Sequence, residues 1–282
     1  MKKIAVFMGS ARKKTTYEAV REFEKRMKTL GEYEFDDIYL NEYNLGFCNG
    51  CKVCFDKGEA LCPLKDDRDI LIEKMERSDG VVFASPNYAF QVSARMKNLL
   101  DRCAFIYHRP RFFGKRLTVI ITQGMFGGGD IRKFLENAGK NFGFSVVKGS
   151  VVNTLEPMTE RQKEKIGIEM RKLAIRYHTA LQRSELPKPS LLRLIMFRIT
   201  RTTLQSMRVK LYDYDYYLEK GWFGSDYYYD TRISFVKKAI ARASDRFGRM
   251  IAKNIGDTET NRVGKPLPAN SYQTKSDSSI GL

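Results

Sequence analysis

The 282-residue chain has little histidine and tryptophan and lacks several common catalytic motifs. Its only two histidines, His108 and His178, lie within or at the end of predicted helices, where a surface or core-edge role is the simpler interpretation. No G-x-S-x-G segment occurs, so a Ser-His-Asp hydrolase has no local support. G-x-G-x-x-G and G-x-x-x-x-G-K-[ST] are also absent, and the sequence therefore gives no support to a dinucleotide fingerprint or a P-loop.

Long apolar runs are missing as well. No uninterrupted apolar stretch approaches the roughly 20 residues needed to span a bilayer. The run IAVFM near the N-terminus is too short for the apolar core of a signal peptide. We therefore expect an intracellular, cytoplasmic protein. In a reducing compartment, its five cysteines favour metal or redox chemistry over a disulfide framework.

Positive charge is in excess, with 50 Lys and Arg against 33 Asp and Glu and a formal net charge of +17. This balance favours anionic partners such as nucleotides, nucleic acid or an acidic lipid surface. Acidic residues are interspersed almost everywhere, however, and no long basic block occurs. We expect a solvated basic surface and keep nucleic-acid binding as the less favoured alternative.

Short apolar runs alternate with amphipathic helices up to Arg183. This order predicts an α/β domain over 1–183 with a flavodoxin-like, doubly wound, five-stranded parallel sheet. The predicted strands lie in KIAVFM, YEFDDIYL, GVVFASP, RLTVIITQG and FSVVKGSVV. Ligands of such sheets bind outside the carboxyl ends of the strands. That rule selects the loops 9–17, 85–92 and 122–130.

The composition changes after Arg183. Residues 184–256 form a basic, tyrosine-rich and mostly helical extension, and we expect the polar tail 257–282 to be disordered. The extension has two apolar stripes and seven tyrosines between residues 212 and 229. One stripe comprises Val236, Ile240, Ala243, Phe247 and Met250, and the other comprises Leu191, Leu194, Ile195, Met196 and Ile199. We expect both stripes to pack on the α/β domain or a second subunit. A peripheral site on a membrane surface is the alternative.

The first selected loop, GSARKKTTY, places Ser10, Arg12, Thr15 and Thr16 between a strand and a helix. Hydroxyls, backbone N–H groups and a cation at a helix N-terminus are suited to bind a phosphate. An ordinary N-cap formed by Thr15 or Thr16 is the alternative.

The other two loops add aromatic groups and glycines. Pro86 fixes the chain as it leaves the third strand, and Asn87, Tyr88 and Phe90 follow. Stacking faces and hydrogen-bonding edges of this kind suit a planar heteroaromatic ligand. Two rings that only cap the core are the alternative. The third loop, TQGMFGGGD, contains Gly124 and the triplet 127–129, which permit close backbone approach to a ligand or form a flexible turn.

These loops resemble those of the NADPH-dependent FMN reductase family within the flavodoxin-like fold, particularly its iron–sulfur flavoprotein branch. The resemblance extends from residue 1 to about 180. It implies that the first loop binds the FMN phosphate and that an SPxY loop, 85–88 here, meets the isoalloxazine. The implied cofactor-binding residues are Ser10, Arg12, Thr15, Thr16, Ser85, Pro86, Asn87, Tyr88, Phe90 and Gly124. The chain departs from the family pattern at Ala11, where proline is usual, and at residues 15–17, where Gly-Asn-Thr is usual.

The resemblance also implies a reaction and partners. NAD(P)H would give a hydride to FMN, and electrons would pass to an acceptor that the sequence does not name. Hydride transfer itself needs no acid–base residue, so we predict none. The segment MKNLLDR resembles a family helix that frequently contributes to a subunit interface, which implies a homo-oligomer.

Four of the cysteines lie in one short segment. Cys48, Cys51 and Cys54 have C-x2-C-x2-C spacing, and Cys62 follows. Three close thiolates can bind three corners of a 4Fe–4S cluster while a loop supplies the fourth ligand. Structural zinc normally uses two separated pairs. Many family members with a similar pattern bind FMN alone, so a segment without a cluster remains the alternative. We predict a cluster that relays electrons beside the flavin, and a buried, structural Cys103.

Overall fold

The computed structural model describes residues 1–207 and 211–260, with side chains described up to Ile255. Its centre is a parallel sheet in the order β2-β1-β3-β4-β5, with a sixth segment, β6, that also pairs with β4. The strands are β1 Lys2–Met8, β2 Tyr33–Tyr39, β3 Gly80–Pro86, β4 Arg116–Gln123, β5 Ser145–Val146 and β6 Ser150–Asn153. This arrangement confirms the flavodoxin-like fold class.

Helices cover both faces of the sheet and form the extension. They are α1 Thr15–Lys28, α2 Val53–Asp56, α3 Arg68–Glu76, α4 Ala94–Arg102, α5 Gly128–Phe142, α6 Glu160–Leu181, α7 Leu191–Ser206, α8 Tyr212–Glu219, α9 Phe235–Ala243 and α10 Asp245–Thr260. Short 3-10 turns occur at Glu59–Leu61 and Ala104–Tyr107.

The central strands are buried on both faces, as their continuous apolar runs require. One face of the sheet packs Phe7, Phe83 and Leu99 into a core with α3, α4 and α5. The other face packs Val20, Phe23 and neighbouring residues of α1 and α6. Because all strands run in parallel, their carboxyl ends meet at one edge, which brings the three selected loops together.

The fifth sheet position is divided between two segments instead of one continuous strand. Leu117 pairs with Val146, whereas Ile120 pairs with Ser150, so one extra residue is inserted opposite β4. Gly149 lies at this bulge, where a Cβ atom would come within 2.2 Å of the Val119 carbonyl oxygen. The glycine therefore permits the close approach that bends the strand.

The extension has its own aromatic core. Tyr217, Trp222 and Tyr227 are buried together with Leu194 and Phe197. The tyrosine-rich segment is therefore packed, and it contains the helix α8. α10 continues to Thr260, past the predicted end of the extension at 256. The rest of the predicted tail, 261–282, lies outside the described residues.

The first apolar stripe of the extension is largely packed, as predicted, and the second is not. Leu194 of the first stripe is buried, but Met196 is 56% exposed. Val236, Ile240, Phe247 and Met250 of the second stripe are all exposed. Small residues, Ala241, Gly248 and Ala252, occupy the buried side of α9 and α10 instead.

Candidate functional site

The first loop leads from β1 into the N-terminus of α1. The N-cap position is Lys14, whose side chain has no oxygen to accept hydrogen bonds from the first turn. The backbone N–H groups in the first turn of α1 are therefore available to an anion, which the helix dipole favours. Arg12 and Thr15 lie at this end, with Arg12 exposed and Thr15 partly exposed.

The other two hydroxyls of the predicted phosphate site have protein partners. Ser10 Oγ donates to the Arg12 carbonyl at 3.0 Å and accepts from the Arg12 N–H at 3.3 Å, which fixes the turn. Thr16 is buried, and its Oγ1 lies 2.7 Å from Thr122 Oγ1 at the end of β4. Thr16 thus connects the first loop to the third.

The second loop turns sharply after β3. Tyr88 and Gln91 exchange backbone hydrogen bonds of 3.0 and 2.9 Å. The two residues between them, Ala89 and Phe90, have φ values of 48° and 60°. Non-glycine residues in this left-handed region carry backbone strain, which the surrounding structure must stabilise. The turn exposes the rings of Tyr88 and Phe90 at the sheet edge.

Two predicted contact residues of this loop lie beneath it. Ser85 and Pro86 are buried at the end of β3. Ser85 Oγ accepts from the Ser93 N–H at 3.0 Å and donates to the Pro86 carbonyl at 2.9 Å. Ser85 therefore stabilises both ends of the loop from below.

The third loop contacts the second directly. Asn87 Nδ2 donates to the Phe126 carbonyl at 2.9 Å, and the Phe90 and Phe126 rings lie 5.5 Å apart. Gly127 has φ 91°, and a Cβ atom there would lie 2.6 Å from Phe90 Cδ1. Only glycine fits this position without strain. Gly124 is exposed in the same loop.

Exposed apolar groups surround the edge where the three loops meet. Tyr88, Phe90, Met125 and Phe126 are between 49% and 67% exposed. A contiguous apolar surface of this kind is typical of a ligand-binding site. An anion site at α1 and an aromatic surface at the other two loops together match a planar ligand that carries a phosphate.

The cysteine segment lies between the α/β domain and the extension. All five cysteines belong to the described part of the chain and are free thiols. Burial raises the pKa of the Cys54 thiol, and the nearby Arg109 guanidinium opposes that shift. Cys48 and Cys51 lie close enough to add to the rise. Cys103 is fully buried, as predicted, and burial raises the pKa of its thiol to about 12.

The four thiols do not converge on a metal site in this arrangement. Among the described residues, no group of three or more His, Cys, Asp or Glu side chains is placed to hold a metal ion. Cys62 lies beside Arg102, whose Nη2 is 3.9 Å from its Sγ. The donor set has the right chemistry for a 4Fe–4S cluster, but its geometry does not fit one.

Helix α4 contacts both ends of the cysteine segment, residues 45–66. Asn98 Nδ2 donates to the Leu45 carbonyl at 2.9 Å, and Arg102 Nη1 donates to the Gly46 carbonyl at 2.8 Å. Arg102 also pairs with Asp66, and both side chains are buried. The MKNLLDR segment, which resembles a subunit-interface helix, therefore anchors the cysteine segment within the chain.

Arg109 joins the cysteine segment to the extension. It is 0% exposed and pairs with Asp213 of α8, which is 2% exposed. It also donates to the Cys54 carbonyl at 2.7 Å and to Glu59 at 2.9 Å. His108 Nδ1 lies 2.7 Å from Asp213, and its ring packs on Phe55. These contacts make α8 one wall of the cysteine segment.

The fold and the joined loops define the class, a flavodoxin-like α/β protein. The sequence profile of the NADPH-dependent FMN reductase family matches residues 2–156, more than half of the chain. The chain belongs to this family. An iron–sulfur flavoprotein of Archaeoglobus fulgidus is 30% identical over 137 residues, which cover 45% of this chain and 61% of that protein. The chain thus spans about three fifths of that curated relative. The similarity between the two proteins confirms the expected iron–sulfur flavoprotein branch.

Solved structures confirm the fold. An NAD(P)H:quinone oxidoreductase from Methanothermobacter marburgensis superposes with a TM-score of 0.50 at 17% identity, covering 61% of this chain and 95% of its own. RosB, solved with bound 8-demethyl-8-formylriboflavin-5'-phosphate, has a TM-score of 0.53 at 11% identity and covers 100% of both chains.

Several residues that shape the site were not selected from the sequence. Gln123 Oε1 accepts from the Gly128 N–H at 2.6 Å, and its Nε2 donates to Asn153 at 2.8 Å. Its place at the carboxyl end of a strand was the available signal. Asn98 and Arg109 gave no comparable signal, because their partners are distant in sequence.

Proposed function

We propose that this protein is an FMN-dependent NAD(P)H oxidoreductase that passes electrons to a separate acceptor. The observation that carries this proposal is the joining of three loops at one sheet edge by hydrogen bonds between Thr16 and Thr122 and between Asn87 and Phe126. The family match supports FMN as the cofactor. When bound, FMN would accept a hydride from NAD(P)H and release its electrons onward.

The chain's own residues would bind and orient the cofactor. The N-terminus of α1, with Arg12 and Thr15, would bind the phosphate. Tyr88 and Phe90 would cover the isoalloxazine. Asn87 would fix the position of the second loop relative to the third through its hydrogen bond to Phe126. Ser85 and Thr16 would act from below as positioning residues, since both are buried.

The phosphate role of Arg12 is tested by comparing FMN with riboflavin, which lacks the phosphate. Arg12→Gln should weaken FMN binding about tenfold to a hundredfold, because a charge-assisted hydrogen bond is worth roughly 1.5–3 kcal/mol. Riboflavin binding should stay unchanged. Arg77→Gln, at an exposed position away from the site, is the matched control. Flavin fluorescence titration measures both affinities, and equal losses for the two flavins would contradict the assignment.

We also propose that Cys48, Cys51, Cys54 and Cys62 take up a 4Fe–4S cluster. The iron–sulfur flavoprotein relatives support this proposal, whereas the absence of a converged metal site among the described residues counts against it. Uptake would require the four thiols to come together.

Anaerobic reconstitution followed by iron and sulfide analysis tests the cluster. We expect about four irons per chain, lost in Cys51→Ser and retained in Cys103→Ala. FMN content should be the same in all three proteins, because the segment lies outside the sheet. Native protein that takes up no iron above background would reject the cluster and leave the flavin proposal intact.

The physiological acceptor and the oligomeric state also belong to this proposal. A homo-oligomer is expected from the family resemblance of α4, although Asn98 and Arg102 are already buried by contacts within one chain. Light scattering of the purified protein measures the subunit number, and a monomer at all concentrations would reject an oligomer.

A further inference from the structure

Helices α9 and α10 expose a continuous apolar stripe. Phe235 is 82% exposed and Val236 65%, and Ile240, Phe247 and Met250 are each 45–50% exposed. Val236, Ile240, Phe247 and Met250 recur at the spacing of one helix face, and Phe235 is adjacent to Val236. A group of five large apolar side chains on one surface is more than the scattered exposure that is normal for a monomer.

The orientation of this stripe is fixed by the opposite side of the same helices. Gly248 packs against α7, where a Cβ atom would lie 3.0 Å from the Ile199 carbonyl oxygen. Asp245, the first residue of α10, pairs with Arg198 and accepts from Thr202 Oγ1 at 3.0 Å. Because this buried side is occupied, rotation of the helices cannot bury the apolar stripe.

A neighbouring helix, α7, also exposes apolar side chains. The start of α9 lies beside the start of α7, where Pro189 and Ser234 line one cavity. Close to that point, Leu192 and Met196 of α7 are 68% and 56% exposed.

The charges on the helices that carry the stripe are mostly positive, although Asp226 pairs with Lys238 at 2.6 Å. Residues 235–255 contain six basic side chains, which are Lys237, Lys238, Arg242, Arg246, Arg249 and Lys253. The single acidic residue in that range, Asp245, is paired with Arg198 on the buried side. Arg242, Arg246, Arg249 and Lys253 are exposed. This charge is complementary to an anionic surface and would repel an identical stripe on a second copy.

We propose that the α9–α10 face docks on an anionic lipid surface, with the apolar stripe in the interface and the basic residues among the headgroups. Amphipathic helices of this composition bind in the plane of a membrane. In the described parts of the chain, no helix is long and apolar enough to cross a bilayer. Docking would therefore be peripheral. The proposal does not depend on the flavin chemistry.

Flotation of the full-length protein with vesicles tests the docking. Vesicles of equal parts phosphatidylcholine and phosphatidylglycerol should carry the protein upward, and vesicles of phosphatidylcholine alone should not. Replacing Arg242, Arg246 and Arg249 together by Gln should lower partitioning about a hundredfold, since each basic residue near anionic lipid is worth roughly fivefold. Replacing Val236, Ile240 and Phe247 together by Ser should abolish flotation.

Matched controls keep the test specific. Ile70, Ile168 and Ile175 are 46–48% exposed on the α/β domain, and their joint replacement by Ser should leave flotation unchanged. Circular dichroism and FMN content verify folding of each variant. The proposal would be overturned if the native protein did not float with anionic vesicles. It would also be overturned if the stripe and control variants floated to the same extent. Self-association that the stripe variant removes, without vesicle binding by the native chain, would also overturn it in favour of a second copy.

Discussion

Removing the carboxylate of Asp213 should destabilise the junction between the extension and the cysteine segment. In Asp213→Ala, Arg109 keeps Glu59 as its one anionic partner among the described residues, and Arg111 already shares that carboxylate at 2.7 Å. Arg109 is fully buried, so its charge would be left largely uncompensated. Breaking a buried ion pair on one side typically costs about 3–5 kcal/mol. We expect the lower end of that range, because Glu59 remains.

Urea unfolding of the native protein and the variant measures this cost. Asp215→Ala is the matched control, since Asp215 lies on the same helix and is exposed. Substitutions at such surface positions usually change stability by less than about 0.5 kcal/mol. A second readout is thiol alkylation followed by mass spectrometry. Cys54, whose carbonyl accepts from Arg109, should react faster in Asp213→Ala, whereas the exposed Cys48 and Cys51 should not change.

Two results would refute this account of the junction. One is a free energy of unfolding for Asp213→Ala that equals the Asp215→Ala value. The other is an unchanged alkylation rate for Cys54 in a variant that is destabilised, because α8 would then stabilise the fold without enclosing the cysteine segment.

Two further predictions concern the third loop and the cysteine segment. Gly127→Ala should weaken FMN binding and lower stability by about 1–3 kcal/mol, because a Cβ atom there meets Phe90 at 2.6 Å with φ at 91°. Gly129→Ala, with open space around it, is the control, and equal FMN affinities would contradict the strain. Burial alone would raise the pKa of Asp66, but the hydrogen bond from Arg102 and bonds from backbone N–H groups hold it below its usual 3.8. The stability from this pair should be complete above pH 3.8 and be lost as the pH falls through the lower, folded pKa. Urea midpoints across that range should fall more steeply for the native protein than for Asp66→Asn, and parallel curves would reject the pairing.

The sheet was predictable because its central strands are short apolar runs with both faces buried. Once the strands are parallel and alternate with helices, their carboxyl ends must share one edge, so the three loops followed from the order of elements alone. The bulge between β5 and β6 was not predictable in the same way. It depends on the contact of Gly149 with Val119, which is a property of two strands and not of one segment.

In the extension, local sequence patterns were insufficient to predict the secondary structure and the contacts between distant residues. The segment YDYDYYLE alternates in polarity instead of following a helical period, and yet it forms α8 because Tyr217 and Asp213 find buried partners. Arg109 and its carboxylates are 50 and 104 residues apart in sequence, so no spacing rule could connect them. The periodicity of α9 correctly predicted an amphipathic helix, but it could not say which of its faces is buried.

Within the candidate site, residue types were easier to predict than side-chain directions. Thr16 was selected because hydroxyls at a helix N-terminus suit a phosphate, and Ser85 was selected because its loop resembles the SPxY loop of the family. In the structure they stabilise the loops from below, since their hydroxyls bond to Ser93 and Thr122. The outward direction of Tyr88 and Phe90 depends on the left-handed turn between Tyr88 and Gln91. This turn contains no glycine or asparagine, so nothing in the sequence indicated it.

The most direct measurement of the central proposal is anaerobic titration of the FMN-reconstituted, full-length protein with NADPH and with NADH. We predict one bound FMN per chain and bleaching of its visible absorbance by at least one of the two nucleotides, followed by recovery of the absorbance when an artificial acceptor is added. A chain that binds no FMN after reconstitution, or that binds FMN whose absorbance neither nucleotide reduces, would contradict the proposed oxidoreductase.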